Sequence, residues 1–444
     1  MGAAHSSTPL ASRPHVVIIG GGYAGLSIAL ALQDHLRVTL LDPRRTFYHI
    51  LGATRALASE GFERSLFIPR DRALQHCTLL AGSATRVDPA ARVVFYTVTP
   101  GEAAPGEPAP SPASPSAAGQ VSYDYLVIAT GATYSAPGVS VGGTTADNVR
   151  AFVDVRAAIA AAQRIVCVGG GSVGAEVCGE IAGAHGGGKS ITLVHSGAHL
   201  ISEAASNGAL AADSSIGEAT ASRLRALGVT LRLGERVTSR PGGEAGSCRL
   251  VSPGVWAGAT TLSTSAGAAL PADLVIWAAG GARAATGFLR DSPGLAPALD
   301  ARTGELLVDA HLRVKGWEGT IFGAGDCAGS GHPKMALVIE RGTAPVVAAN
   351  VLAYARAAVG AAGAAGAAGA AGAGAVQAPP PSLKVAAPWT KPSVIVILTP
   401  SVGFGKLGPL WLPDAVVCGI KGKDKLLSRY LARLKYESKE LEAK

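Results

Sequence analysis

The sequence has little of what marks a disulfide-framed, metal-binding or membrane-spanning protein. Its six cysteines, Cys77, Cys167, Cys178, Cys248, Cys327 and Cys418, include no C-x-x-C or other close pair, which excludes a dithiol motif of that spacing and fits a reducing compartment. Cys167 falls inside a predicted strand and Cys178 on the helix after it, where cysteine reads as ordinary core. There is no H-E-x-x-H and no cysteine-histidine cluster with zinc spacing, so no metal site is expected. Charged residues make up only 16% of the 444 residues against 48% hydrophobic ones, enough apolar material for two or three packed cores. No apolar run approaches the roughly 20 residues of a bilayer span, and any membrane contact is expected to be peripheral. The pI near 9.2 is not accompanied by an aromatic-rich basic stripe, which argues against nucleic acid as a partner.

Glycine, by contrast, is abundant, and two glycine-rich turns of one type lie about 150 residues apart. Val16-Val17-Ile18-Ile19 runs into Gly20-Gly21-Gly22-Tyr23-Ala24-Gly25, and Ile165-Val166-Cys167-Val168 into Gly169-Gly170-Gly171-Ser172-Val173-Gly174. Each follows a β-branched run that reads as a buried parallel strand, and each opens an Ala-rich stretch with helical spacing. Gly20 makes the tight turn, Gly22 lets backbone approach a pyrophosphate, and Gly25 lets helix and strand pack closely. The helix N-terminus then offers its free N–H groups to the phosphates. A lone match is weak, whereas two, each in its own strand-turn-helix context, predict two dinucleotides.

The residues after each turn bear on which nucleotide it holds. Val38-Thr39-Leu40-Leu41 ends in Asp42, a carboxylate able to accept from an adenosine ribose hydroxyl, which points to FAD or NAD. Ile191-Thr192-Leu193-Val194 ends in His195-Ser196 with no acid, so NADPH and NADH both stay open there. Two further strands, ending at Thr130-Gly131 and at Gly325-Asp326, finish in small-residue turns, and Leu274 to Gly280 reads as another. Residues 100–120, 241–271 and 357–382 are low in complexity and read as surface insertions, the last a Gly-Ala repeat expected to lack order.

Near the C-terminus, Val394 to Leu398 and Ala415 to Ile420 read as strands of an interface domain. Leu426, Leu427, Tyr430, Leu431 and Leu434 then recur at helical spacing, with Lys425, Arg429 and Arg433 on another face. Residues 421–444 hold eight Lys or Arg against four Asp or Glu. A helix docked on its own domain and an interfacial membrane helix are both open readings. At the other end, Met1-Gly2-Ala3-Ala4-His5-Ser6 fits the N-myristoylation pattern with Gly2 as acceptor. A first strand beginning by His15 leaves no room for a secretory or transit peptide.

The set of turns resembles the two-dinucleotide-binding-domain flavoproteins of the glutathione-reductase type. In that resemblance Gly325 and Asp326 hold FAD, and the absence of cysteine from the helix after the first turn makes disulfide reduction an unsuited activity. Phe47-Tyr48-His49 with Arg55, Gly169 to Glu176, Gly325-Asp326-Cys327, Pro333 to Ala336 and Gly405 to Lys423 further resemble the ferroptosis-suppressor branch of the apoptosis-inducing-factor homologues, relatives of type II NADH dehydrogenases. The Gly-Ala insertion departs from that pattern, as does the absence of quinone-tunnel glutamines between Met335 and Pro345.

The resemblance implies an α/β fold of two Rossmann-like domains, for FAD and for NAD(P)H, plus a C-terminal interface domain with a basic amphipathic helix. The expected division is a tail over 1–14, FAD-binding parts over 15–150 and 286–356, an NAD(P)H domain over 151–285, a linker over 357–382 and an interface, membrane-associating domain over 383–444. It implies FAD-dependent NAD(P)H:quinone oxidoreduction, with a lipid quinone as substrate, on the cytosolic face of a membrane. Glu176 and Lys421 are the expected catalytic residues. The expected FAD contacts are Gly20, Gly21, Gly22, Gly25, Asp42, Arg55, Ala84 through its backbone, Thr130, Gly131, Gly325 and Asp326. Gly169, Gly171, Gly174 and His195 are expected at the nicotinamide nucleotide. Two other classes stay open: a redox sensor that binds partners or nucleic acid, and a soluble reductase of a small acceptor.

Overall fold

β-branched runs form the centres of two sheets, in two units of the chain. The computed structural model describes residues 9–100, 118–134, 137–138, 143–201, 214–241, 248–367, 382–389, 393–407 and 409–442. One unit is Met1–Arg45, Ala73–Ala132 and Arg283–Trp389, the other Thr46–Arg72, Thr133–Ala282 and Thr390–Lys444.

In the first unit Val16, Val17, Ile18 and Ile19 are buried on both faces, as a central parallel strand requires. The seven-stranded sheet runs Ile321–Gly323, Tyr125–Ile128, His15–Ile19, Arg37–Asp42, Cys77–Asp88, Val93–Val98 and Ala118–Ser122. Its first five strands are parallel and the last two turn back antiparallel. The order reverses beside His15–Ile19, the place where open parallel sheets leave a crevice for ligands.

The helix Ala344–Ala367 carries the start of the Gly-Ala repeat, which was expected to lack order. Buried Val347, Val351 and Ala355 anchor its early turns, and an anchored helix extends at little further cost. Residues 368–381 lie outside the described residues. Contrary to the expectation from uninterrupted apolar runs, Ala336–Gly360 is long and apolar enough to cross a membrane, with 25 residues and mean hydropathy 1.3. Glu340 and Arg341 hide it from a count of consecutive apolar residues. Half of its window is buried, as in a core helix.

The second unit repeats the plan. Thr230–Leu233, Ser190–His195, Arg164–Val168 and Ala269–Trp277 are parallel neighbours, and Val255–Ser263 and Arg249–Ser252 extend the sheet antiparallel. Of the stretch 241–271, residues 248–271 are therefore largely sheet rather than insertion, and 242–247 lie outside the described residues. Small residues disguise its alternation, yet Val255, Leu262 and Ala272 are fully buried.

Residues 46–72 also belong to this unit. Thr46–Tyr48 pairs with Phe67–Pro69, Tyr48 stacks on Phe67 with centroids 4.8 Å apart, and Arg156 grips Glu63 at 2.8 Å.

The C-terminal part of the second unit departs twice from expectation. Strand Ser393–Ile397 forms, but Ala415 to Ile420 is a helix, Asp414–Val417, continued by a π-helical turn over Cys418–Gly422. Pro413 at the N-cap and Asp414 in the first turn start a helix that the β-branched run conceals.

The tail helix Leu427–Leu434 docks on its own unit: Leu427, Tyr430, Leu431 and Leu434 are all buried. Tyr430 stacks on Phe47 with centroids 5.4 Å apart. Of the two open readings the structure shows the docked helix, whose leucines have an apolar partner that satisfies them as lipid would. Lys425, expected on an exposed cationic face, is fully buried.

Candidate active site

In the first unit the glycine turn has the form its spacing predicts. Gly20 takes φ +98°, and a side chain there would run into the Ala129 carbonyl and Thr130. A side chain at Gly25 would strike the Gly20 carbonyl. Gly22, the N-cap of helix Tyr23–Leu32, instead faces open space, with no atom within 4 Å of an added Cβ. The carboxylate of Asp42 accepts from Gly21 N–H at 2.7 Å and from Arg44 N–H at 2.9 Å, which fixes it beside the turn.

Thr130 and Gly131 follow the neighbouring strand. Gly325, at φ +75°, packs on Ala24 and so brings Asp326 to the same crevice. Lys334 ties that turn down by donating to the Asp326 carbonyl at 3.2 Å while pairing with Glu305 at 3.2 Å. Ala84 lies further along its strand, opposite Tyr96 and next to a bulge.

The second turn is nearly a copy. Gly169 has φ +109°, Gly174 abuts the Gly169 carbonyl, and Gly171 caps helix Ser172–His185 with open space before it. Here Gly170 N–H donates to Nδ1 of buried His195 at 3.2 Å. The open space at Gly22 and Gly171 is the fit a pyrophosphate needs, since a Cβ at either position would occupy it without touching protein.

Beyond the second turn, Glu176 opens a buried cluster of charge. Its Oε2 accepts from Lys425 Nζ at 3.0 Å and from Thr54 Oγ1 at 3.1 Å, and its Oε1 lies 3.7 Å from Lys421 Nζ. The two residues expected to be catalytic are thus neighbours. Burial pushes the Glu176 carboxyl up, but Lys425 and Lys421 outweigh it and hold the group below the ordinary glutamate value. Burial pushes Lys421 below the ordinary lysine value, helped by Lys425 and opposed by Glu176.

Arg55, expected at FAD, has its guanidinium engaged within the second unit, with Nε on Glu180 Oε2 at 2.7 Å and Nη2 on the Gly422 carbonyl at 3.0 Å. Gly2 lies outside the described residues.

Sequence reasoning missed Thr54, Glu180, the buried role of Lys425, and His49, whose Nε2 donates to the Lys425 carbonyl at 2.8 Å. A signal was present. Glu176 and Glu180, like Lys421 and Lys425, are spaced i,i+4, which puts each pair on one helical face. The structure also brings Cys167 against Cys178, both fully buried. The hydrogen bond from Cys167 and burial push the Cys178 thiol well above its ordinary value, so neither is a ready thiolate.

Two nucleotide turns on two parallel sheets, one followed by a buried carboxylate and lysine, define a pyridine-nucleotide flavoenzyme. A family model described as pyridine nucleotide-disulphide oxidoreductase matches residues 14–358. The chain belongs to that family and is an FAD-dependent oxidoreductase that uses NAD(P)H.

Among curated relatives, apoptosis-inducing factor homolog B of Dictyostelium discoideum is 24% identical over 322 residues, covering 71% of this chain and 75% of that protein. Ferroptosis suppressor protein 1 of Homo sapiens is 28% identical over 327 residues, covering 72% and 76%. The fold is shared with a solved NAD-dependent persulfide reductase from A. fulgidus, with TM-score 0.61 and 17% identity over 91% of this chain; the match spans 66% of that protein.

Proposed function

We propose that the chain is an NAD(P)H:quinone oxidoreductase that takes a lipid quinone at a membrane surface. FAD, when bound, supplies the two-electron chemistry that links a reduced nicotinamide to a quinone. Gly20 to Gly25, Asp42, Thr130, Gly131, Gly325 and Asp326 would hold it, and Gly169, Gly171, Gly174 and His195 the nicotinamide nucleotide.

The observation that carries the reading is the Glu176–Lys421 pair on and beside the helix opened by Gly171, in a chain with no exposed cysteine pair to receive electrons. Glu176 Oε1 orients a donor group such as a carboxamide N–H. Lys421 holds a proton in a desolvated place, ready to stabilise an oxyanion. The resemblance to ferroptosis suppressor proteins favours a quinone acceptor over a disulfide.

Lipid contact falls in this reading to Leu407, Leu410, Trp411, Val416 and Ile420, all exposed on the hairpin Gly403–Leu407 and Leu410–Leu412 and the helix and turn after it. Lys406 lies over the Trp411 ring at 5.3 Å, a pairing of aromatic and cation suited to a headgroup layer.

Steady-state turnover of the FAD-loaded protein, with NADH and NADPH against ubiquinone, menadione and plastoquinone analogues, tests the reading. It fails if only small inorganic acceptors are reduced. Flotation with anionic vesicles tests the surface, and Leu410→Ser with Trp411→Ser should release the protein while leaving turnover of a soluble quinone intact.

A further inference from the structure

The charges around Glu176 do not balance. Helix Ala53–Ala56 contributes Arg55, helix Ser172–His185 contributes Glu176 and Glu180, and the π-helical turn with the residues after it contributes Lys421 and Lys425. Three cations therefore meet two carboxylates. Arg55 is matched by Glu180 at 2.7 Å. Lys425 donates to Glu176 at 3.0 Å and to the Ile397 carbonyl at 3.2 Å, and it forms an ion pair with Glu180 at 3.2 Å. Lys421, 3.7 Å from Glu176, is the loosely held cation.

Lys425 is also held at its backbone. It and Leu426 adopt φ +54° and +69°, a left-handed conformation that costs a non-glycine residue of order 1 kcal/mol or more. Its N–H donates to the Lys421 carbonyl at 2.8 Å, and its carbonyl accepts from His49 at 2.8 Å. An ammonium fully buried, paired with two carboxylates and kept on a strained backbone is an expensive arrangement for a fold that an apolar residue would serve.

We propose that Lys425 is a positioning residue, backed by Glu180 and Arg55, which pins Oε2 of Glu176 and so leaves Oε1 and the Lys421 ammonium as the working pair for the nicotinamide nucleotide. Only the last clause rests on the proposed function. The division of labour between the two oxygens is a property of the cluster itself.

The consequence is electrostatic. Lys425 repels the proton on Lys421 and competes with it for Glu176. Without Lys425 the carboxylate pairs wholly with Lys421, and the Lys421 ammonium becomes harder to deprotonate. The other groups facing the pair are Arg55, Glu180, Cys418, whose thiol burial pushes up, and His49, which burial pushes down to about 4 against the pull of Asp424 and keeps neutral at working pH; the Asp424 carboxylate itself accepts from Leu426 and Ser428 N–H.

The test is competitive acylation of Lys421 against pH, read by mass spectrometry on the FAD-loaded full chain without nicotinamide or quinone, beside stopped-flow reduction by NADH. Lys425→Met should move the Lys421 titration upward by about one unit and slow reduction roughly 10–100-fold. Lys425→Arg, which keeps the charge, should recover both to within about threefold. Thr54→Val removes the other donor to Oε2 without a charge change and should slow reduction less, with the Lys421 titration nearly unmoved; it also serves if the methionine variant does not fold.

An unmoved Lys421 titration in the methionine variant, equal slowing by Met and Arg, or unchanged reduction in Thr54→Val where the methionine variant fails to fold, each overturns the proposal. Failure to reduce quinones would overturn the proposed function and leave the acylation result intact.

Discussion

The two glycine turns are close to superimposable in their bonding and unlike in their chemistry. Gly20 N–H donates to Leu41 O at 2.8 Å and Gly169 N–H to Val194 O at 2.8 Å; Gly21 donates to Asp42 and Gly170 to His195. Five residues past the open glycine, the first helix has Ser27, which bonds back to the Tyr23 carbonyl at 2.6 Å, and the second has Glu176. Four residues on stand Ala31 and Glu180. A dinucleotide turn needs only backbone, so both copies keep the same glycines. What differs lies one helical turn further along, where the second copy carries two carboxylates, Glu180 buried and Glu176 partly so, and the lysines they demand.

Blocking either turn should break the comparison most completely. Because an added side chain at Gly22 or Gly171 meets no protein atom, both Gly22→Val and Gly171→Val are expected to fold with melting temperatures near that of the unchanged chain. The first should purify colourless, its flavin absorbance lost. The second should keep its flavin, accept electrons under photoreduction, and fail to be reduced by NADH or NADPH. Loss of flavin from both, or from neither, would mean that the turns do not divide the nucleotides in this way.

A smaller effect is expected where Asp42 and His195 differ. His195→Asp places in the second turn the carboxylate that the first already has, still able to accept from Gly170 N–H. Like-charge repulsion of a 2′-phosphate costs several kcal/mol when close and less through water, so the NADPH-to-NADH ratio of kcat/KM should fall about 10–100-fold. Asp42→His should leave that ratio unchanged and weaken FAD retention instead. A ratio unmoved by His195→Asp would place the adenosine ribose away from this residue.

The turns were legible because their constraint is local: a positive φ at Gly20 and Gly169 and a close approach at Gly25 and Gly174 leave no other residue type. The strands Tyr125–Ile128 and Ile321–Gly323 were legible for the same reason, as buried apolar runs before a small-residue turn. The second unit's antiparallel strands were not, because Gly, Ser and Thr dilute an alternation that Val255, Leu262 and Ala272 still carry. Nor was the fate of the tail helix, since an amphipathic face reads the same whether Phe47 or a lipid covers it. The charge cluster joins residues 54–55, 176–180 and 421–425, and only the paired i,i+4 spacing hints at it. Distant partners of a buried charge leave no local mark.

The mildest test asks whether the two units, so alike in plan, also share their response to acid. Each carries a buried histidine that burial pushes below its ordinary value. In the first unit, burial and then Arg37, opposed by Asp124, push His15 down to about 4, its Nε2 lying 2.8 Å from Thr39 Oγ1. In the second, burial pushes His49 down to about 4, opposed by its bond to the Lys425 carbonyl. A folded-state value below the unfolded 6.5 means that the unfolded chain binds more protons between those two limits. The stability each histidine contributes is therefore whole above pH 6.5 and is lost as pH falls toward 4. Linkage puts the loss at about 2 kcal/mol per histidine between pH 7 and pH 5, or a few degrees in Tm for a unit of this size. His49→Gln retains an N–H donor for the Lys425 carbonyl but cannot titrate, and His15→Gln likewise keeps a partner for Thr39. Melting each variant at pH 7 and pH 5 should show a smaller acid shift than the unchanged chain, with the double variant smallest. If the unchanged chain and the double variant lose the same number of degrees, acid acts through carboxylates instead, and the buried histidines of the two units are bystanders.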